Sequence, residues 1–178
     1  MYRKLIVWVL LCLSLNAYGQ FNTDRLLTSG QIALHYEDYV LSIQYFNQVI
    51  SLKPFLYQPW QYRGVAKFYL DDYVGAEADA TEAIKLNPYI HGLYDLRAIS
   101  RIRQEKYEDA IADYTQAIRI DPQIQNYWFN RAICMLNTKE YDRALLQTDT
   151  IVSKWAKFAN AYTLKAEIYL QKKDTTQA

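Results

Sequence analysis

Apolar residues recur along most of this chain at the spacing of amphipathic helices. Within 57–90 they lie three and four residues apart over 58–70, and an acidic pair at 71–72 then interrupts the pattern. A second, alanine-rich helical segment follows over 74–86. Pro88 ends it, because the residue before a proline is disfavoured in the α region. The pattern therefore predicts two helices joined by a short turn.

The same two-helix pattern returns with a fixed period of about 34 residues. Prolines stand at Pro54, Pro88 and Pro122, and the same step aligns a small residue on each helix and a mostly aromatic position. The columns are Gly30, Gly64, Ala98, Ala132 and Ala166; Ser42, Ala76, Ala110, Ala144 and Ala178; and Leu26, Trp60, Tyr94, Trp128 and Tyr162. The small columns predict close helix approach, and the aromatic column is expected to fill wider gaps between repeats. One such hairpin cannot bury its apolar face alone, so a stack sharing a continuous core is indicated.

These columns resemble the signature of the tetratricopeptide repeat, W-x2-L-G-x2-Y followed by A-x3-F and P over about 34 residues. Trp60 with Gly64, and Ala110 with Tyr114, stand in the matching places. The resemblance implies an all-α, right-handed α-solenoid of helix-turn-helix repeats, about four and a half in number. The repeats it delimits are 23–56, 57–90, 91–124, 125–158 and, in part, 159–178.

Residues 1–19 have the layout of a secretory signal peptide. A basic start leads into an apolar run at 5–13, and small residues follow at Ala17 and Gly19. The run is well short of the ~20 apolar residues that span a bilayer. We therefore predict cleavage after Gly19, which leaves 20–178 as the repeat domain, and export to the periplasm or cell envelope. An uncleaved N-terminal membrane anchor is the alternative.

Composition and charge argue against several classes of function. The 20 Lys and Arg nearly balance the 19 Asp and Glu, and no basic stripe is visible, so nucleic acid is not an expected partner. Two His and two Cys argue against a metal centre and a disulfide framework, and cleavage would leave Cys134 as the one thiol. No catalytic motif stands out, so we predict neither an enzyme nor a cofactor nor a small-molecule substrate.

Arginine replaces the leucine of the signature in three repeats, at Arg63, Arg97 and Arg131. Asp79 and Asp113 follow the first two of them at one common spacing. We predict an Arg–Asp pair at the edge of the core inside the hairpin. Solvated, unpaired charges are the alternative.

The resemblance also implies a concave groove lined by the first helix of each repeat, and a family whose members bind peptides or partner helices. The groove positions that it implies are Leu27, Gln31, Gln61, Val65, Tyr69, Asp95, Ile99, Arg103, Asn126, Phe129, Ile133 and Asn137. Phe68, Ile102 and Leu136 fall on the same stripe, and pure core packing is the alternative for all of it. One subclass holds a C-terminal carboxylate in a basic clamp. That clamp is not predicted here, since the matching positions are Leu27, Gln31, Tyr62, Gly92 and Leu96.

The function expected from these observations is an exported protein–protein interaction scaffold that binds a peptide segment or partner helix, in assembly of a cell-envelope complex. The alternative is the recognition arm of a larger enzyme or sensor whose active domain lies beyond Ala178. The last unit, 159–178, supplies one helix with apolar residues on more than one side. Continuation of the natural chain past Ala178 is therefore expected, with self-association through this end as the alternative.

Overall fold

Nine α-helices and no strand make up residues 22–177, the part of the chain that this computed structural model describes. Helix α1 covers 22–35, and the others are α2 Tyr39–Leu52, α3 Tyr57–Tyr69, α4 Tyr73–Leu86, α5 His91–Ile102, α6 Tyr107–Ile120, α7 Gln125–Asn137, α8 Tyr141–Lys154 and α9 Ala159–Gln177. Consecutive helices pack together, and α3 also contacts α5 as α7 contacts α9. The predicted all-α stack of helical hairpins is thus confirmed.

The predicted leader and the helical stack lie in different parts of the chain. The predicted leader and its cleavage site after Gly19 lie outside the described residues. Over 22–177, none of the helices combines the length and the apolar character needed to cross a bilayer.

The turn inside each hairpin has one repeated geometry. The backbone N–H that opens the next helix reaches a carbonyl five positions back, as from Lys106 to Arg101 at 2.9 Å. One residue of each turn lies in the left-handed region, with φ between 59° and 62°, although none is glycine. A side chain there costs roughly 1–2 kcal/mol. These residues are Glu37, Asp71, Glu105 and Lys139, which follow the same period as the prolines.

The turn between hairpins is held by the aromatic column. The indole N–H of Trp60 donates to the carbonyl of Pro54 at 3.0 Å, and Trp128 bonds Pro122 in the same way at 3.1 Å. The hydroxyl groups of the tyrosines in this column reach the equivalent carbonyls. Each ring therefore ties a helix to the loop before it, a role beyond the predicted filling of gaps.

The small columns mark close contacts between helices, as predicted. A Cβ on Gly64 of α3 would lie 3.3 Å from the Cβ of Asp79 on α4 and 3.1 Å from Leu96 on α5. Ala76 and Ala98, one from each small column, are fully buried. Ala166 is the exception, since it is exposed on α9.

The Arg–Asp pairing is confirmed in two hairpins. Arg63 contacts Asp79 at 2.6 Å, and Arg97 contacts Asp113 at 2.6 Å. Both carboxylates are buried, with 3% of the side chain exposed, so the alternative of solvated charges is wrong there. Each carboxylate also meets a second cation one turn further along the first helix, which for Asp113 is Arg101 at 2.7 Å.

The hairpin of α7 and α8 lacks this pair. Gln147 stands where the aspartate would be and accepts from Arg131 Nη2 at 2.7 Å. Nη1 of Arg131 donates to Thr115, while its buried Nε has no hydrogen-bond partner among the described residues. Burial and the charge of Arg143 lower the pKa of Arg131. A cation is therefore held here by neutral oxygens and by the ring of Trp128, whose centroid lies 5.4 Å from the guanidinium carbon, with no carboxylate of the described residues in contact.

We expect Gln147→Asp to stabilise the protein by about 1 kcal/mol, a rise of about 2–4 °C in melting temperature. The carboxylate would accept from the buried Nε of Arg131, as Asp113 does from Arg97. The matched control is Gln147→Asn, because asparagine is about the size of aspartate but carries no charge. Equal melting temperatures for the two variants, measured by circular dichroism, would contradict this account of Arg131.

Candidate functional site

The odd-numbered helices α3, α5, α7 and α9 form one face of the stack, here called the odd-helix face. Cavity I, of about 300 Å³, opens there between α3, α5 and α7. Its wall is mostly apolar, with an amide, a hydroxyl and a guanidinium among the lining groups. The lining residues are Phe68, Ile99, Ile102, Arg103, Tyr114, Asn130 and Ile133.

Cavity II, of about 320 Å³, lies further along the same face between α7 and α9. It is lined by Phe129, Ile133, Leu136, Asn137, Asn160, Thr163, Leu164, Glu167 and Gln171. Ile133 belongs to both cavities, so the two are neighbours and form one groove. The groove has apolar walls and side-chain amides, a composition typical of ligand sites.

The structure brings five of the predicted groove residues into these cavities and leaves seven outside. Those inside are Ile99, Arg103, Phe129, Ile133 and Asn137. Those outside both are Leu27, Gln31, Gln61, Val65, Tyr69, Asp95 and Asn126. Tyr69 is exposed and stacks on Tyr39, with ring centroids 5.1 Å apart. Whether any of the twelve binds a partner stays a prediction.

Seven lining residues were missed, among them Asn130 and Leu164, which share one position of the repeat that was not predicted for the groove. Asn160, Thr163, Glu167 and Gln171 lie one period after four predicted positions, so one more step of the repeat would have found them. Tyr114 has no such signal. It sits on α6, an even-numbered helix, and reaches the groove through the core, where it is fully buried.

Asp95 on α5 lies beside cavity I in a polar cluster. The hydroxyl of Tyr114 donates to its carboxylate and accepts from Nδ2 of Asn130 at 3.2 Å. His91, one turn earlier on α5, contacts the hydroxyl of Tyr127 at 2.7 Å. Burial raises the pKa of Asp95 to about 6, against the hydrogen bond from Tyr114 and the nearby His91.

The raised pKa of Asp95 makes stability depend on pH. The native state binds its proton more tightly than the unfolded chain, so the contribution is complete below pH 3.8 and is lost as pH rises through about 6. We expect Asp95→Asn to be more stable than wild type by about 1–2 kcal/mol at pH 7.5, with no gain at pH 4. Urea unfolding at the two pH values measures this. A gain that is equal at both would show that Asp95 titrates normally.

The most reactive side chain outside this cluster is engaged in packing. Cys134 is fully buried, and burial raises the pKa of its thiol to about 12, which favours the inert thiol form. No group of three His, Cys, Asp or Glu side chains within 22–177 is placed to hold a metal ion. At the predicted self-association end, Tyr162, Tyr169 and Leu170 of α9 are exposed.

Residues 96–152 match the family described as tetratricopeptide repeat. No curated protein sequence matches the chain. The fold is similar to that of YrrB, described as a tetratricopeptide repeat protein with an unusual peptide-binding site, with a TM-score of 0.76 and 14% identity. The match covers 83% of this chain and 76% of that one.

Two further solved structures share the fold. MamA from Desulfovibrio magneticus RS-1 matches with a TM-score of 0.80 and 12% identity over 87% of this chain and 88% of that one. The first tetratricopeptide repeat domain of Spaghetti, bound to an HSP90 peptide, matches with a TM-score of 0.63 and 21% identity. The match covers 64% of this chain and 90% of that one. At these identities the likeness is one of fold.

Proposed function

We propose that this chain is a tetratricopeptide repeat scaffold for protein–protein contacts and that its groove binds an extended peptide segment of a partner protein. The observation that carries the proposal is the meeting of cavity I and cavity II at Ile133. Apolar cavities in series suit alternate side chains of an extended segment, and amides such as that of Asn130 suit its backbone. YrrB, which has an unusual peptide-binding site, and the first repeat domain of Spaghetti, which is bound to an HSP90 peptide, share this fold and support the proposal.

The cavities are large enough to provide useful affinity. Each holds about 300 Å³, room for one large apolar side chain. Burying a Leu or Phe contributes about 1.5–3 kcal/mol. Two such anchors contribute about 3–6 kcal/mol, and backbone hydrogen bonds to the segment would supply the rest of the roughly −8 kcal/mol of a micromolar dissociation constant.

The test is peptide selection followed by titration. A displayed library of random peptides is selected on the purified protein, and enriched peptides are titrated by fluorescence anisotropy against wild type and Ile133→Ser. Removing the apolar wall that both cavities share is expected to weaken binding about 10- to 100-fold.

Leu146→Ser is the matched control. Leu146 is exposed on α8 and lines neither cavity. It should leave affinity unchanged, and circular dichroism should show both variants to be as helical as wild type. Equal loss in the two variants, or none in Ile133→Ser, would place binding outside the groove.

Export and a role in assembling a cell-envelope complex remain part of the proposal. They are supported by the signal-peptide layout of residues 1–19 and by a domain in which Cys134 is the one cysteine after cleavage. N-terminal sequencing of the protein from the exported fraction should begin at Gln20. A mature chain that begins at Met1 and sediments with membranes would favour the N-terminal anchor instead.

A further inference from the structure

Asp95 carries a negative charge beside the groove without an ion-pair partner among the described residues. The other buried carboxylates, Asp79 and Asp113, each contact two cations. An ionised carboxylate has about four acceptor positions, and Asp95 receives one neutral donor, the hydroxyl of Tyr114. This acid therefore has the capacity for a cation that the fold does not supply.

The cation that lines cavity I, Arg103, contacts aromatic rings instead of Asp95. Arg103 lines that cavity two turns further along α5, about 12 Å from Asp95 by helix rise. Its guanidinium lies 5.9 Å from the ring centroid of Phe68 and 5.8 Å from that of Tyr73. Arg103 thus marks the opposite end of the cavity from Asp95.

The turn of α5 that precedes Asp95 carries no side chain at Gly92. Gly92 stands one turn earlier on α5, and a Cβ built there would meet Gln61 Nε2 at 3.9 Å as its nearest neighbour. Gln61 and Asp95 were both predicted as groove residues. Tyr114 and Asn130, which form the hydrogen-bond chain to the carboxylate, line cavity I itself. The carboxylate is therefore connected to the groove through side chains that line cavity I.

We propose that Asp95 binds a lysine or arginine side chain of the peptide in the groove, with the aliphatic stem of that side chain lying along the apolar wall of cavity I. This rests on the proposed function, and it adds the chemical class of the ligand. A charge-assisted hydrogen bond to a partly buried carboxylate is among the stronger polar contacts in proteins. Lysine and arginine combine a cationic tip with a long apolar stem, so they match both the acid and the wall.

The raised pKa of Asp95 is consistent with a vacant acceptor. Burial disfavours the ionised form of Asp95, whereas a bound cation favours it. The peptide and a proton therefore compete for the carboxylate. The groups that face the carboxylate are His91 on its own helix, Tyr114 on α6 and Tyr127 on α7.

The experiment selects displayed random peptides in parallel on wild type and on Asp95→Asn at pH 7.5. Asn keeps an oxygen that can accept from Tyr114 and removes the charge. We expect wild-type peptides to share Lys or Arg at one position, and Asp95→Asn peptides to lack it. Titrated with one wild-type peptide, Asp95→Asn should bind about tenfold or more weakly, and Asp109→Asn, which changes an exposed acid on α6, should bind normally.

Two further measurements separate the charge from a structural effect. Wild-type affinity should fall about tenfold from pH 7.5 to pH 5, while Asp95→Asn, which keeps His91, should change much less. Gly92→Leu, which keeps the carboxylate but adds a bulky side chain one turn before it on α5, should weaken binding as well. Asp95→Lys should accept the peptide whose basic residue is replaced by Glu.

The outcomes distinguish this inference from the proposed function. Peptides that depend on Ile133 but share no basic residue and bind Asp95→Asn as tightly as wild type would overturn the inference alone. A library from which wild type enriches no peptide would overturn both.

Discussion

Replacing Asp113 by Asn is expected to lower the melting temperature by about 10 °C. The carboxylate, 3% exposed, accepts from Arg97 and from Arg101, and Arg101 also contacts Glu77 on α4 of the preceding hairpin. Asn at this position would leave two partly buried guanidinium groups without their common counter-ion. Breaking a buried pair in this way costs about 3–5 kcal/mol, and each kcal/mol is about 2–4 °C in a domain of this size.

Asp109→Asn is the matched control for Asp113→Asn. It removes the same charge one turn earlier on α6, where the side chain is exposed, so it should shift the melting temperature by less than about 2 °C. Thermal unfolding followed by far-ultraviolet circular dichroism measures both variants. Similar shifts in the two would show that overall charge, rather than the pair with Arg97, sets the effect.

The network around Asp113 joins two hairpins as well as two helices. Arg101 bridges α4 and α6 through Glu77 and Asp113. Burial alone would raise the pKa of Glu77, but hydrogen bonds from Arg101, Lys106 and Gln104 lower it to about 2. The loss in Asp113→Asn should therefore extend to the contact between the second and third hairpins.

Phe46→Ala is expected to unfold the first hairpin locally. The ring is fully buried on α2, lies 2.5 Å from the position of a Cβ on Gly30 and stacks near Tyr62 with centroids 5.6 Å apart. Its removal leaves a cavity that costs about 3–5 kcal/mol. In a stack where each hairpin contacts its neighbours alone, this cost falls on α1 and α2. Amide hydrogen exchange there should accelerate about 10²–10³-fold.

The distant hairpins test whether the effect is local. Exchange in α6 and α7 should match wild type, since neither contacts α2. Phe55→Ala, at an exposed phenylalanine between α2 and α3, should leave exchange unchanged throughout. Faster exchange in every helix of Phe46→Ala would mean that the stack unfolds as one cooperative unit.

Most of the architecture could be predicted because it rests on periodic burial. A repeat of apolar, small and proline positions at one fixed period is compatible with few arrangements other than stacked hairpins, and residues such as Ala76 and Ala98 lie where the period puts them. The left-handed turn residues escaped notice because their usual signal is glycine, and Glu105 and Lys139 stand there instead.

Part of the groove lining could be predicted from the spacing of residues along the helices. Ile99, Phe129 and Ile133 face it because a regular helix places every residue at a known angle. Tyr114 escaped prediction because a long side chain on an even-numbered helix reaches the groove only where the packing around it leaves a path. Such a path depends on several side chains at once, and no period in the chain encodes it.

By itself the sequence determined the helices and their pairing, because these follow from repeated spacing. The tertiary structure decided between paired and solvated charges, which the spacing of Arg and Asp had left open. Arg97 meets Asp113, Arg131 meets the neutral Gln147, and Asp95 meets no cation among the described residues. Neutralisation depends on distances of a few ångströms between helices, where Coulomb energy and desolvation are large and opposed. A list of residues does not contain those distances.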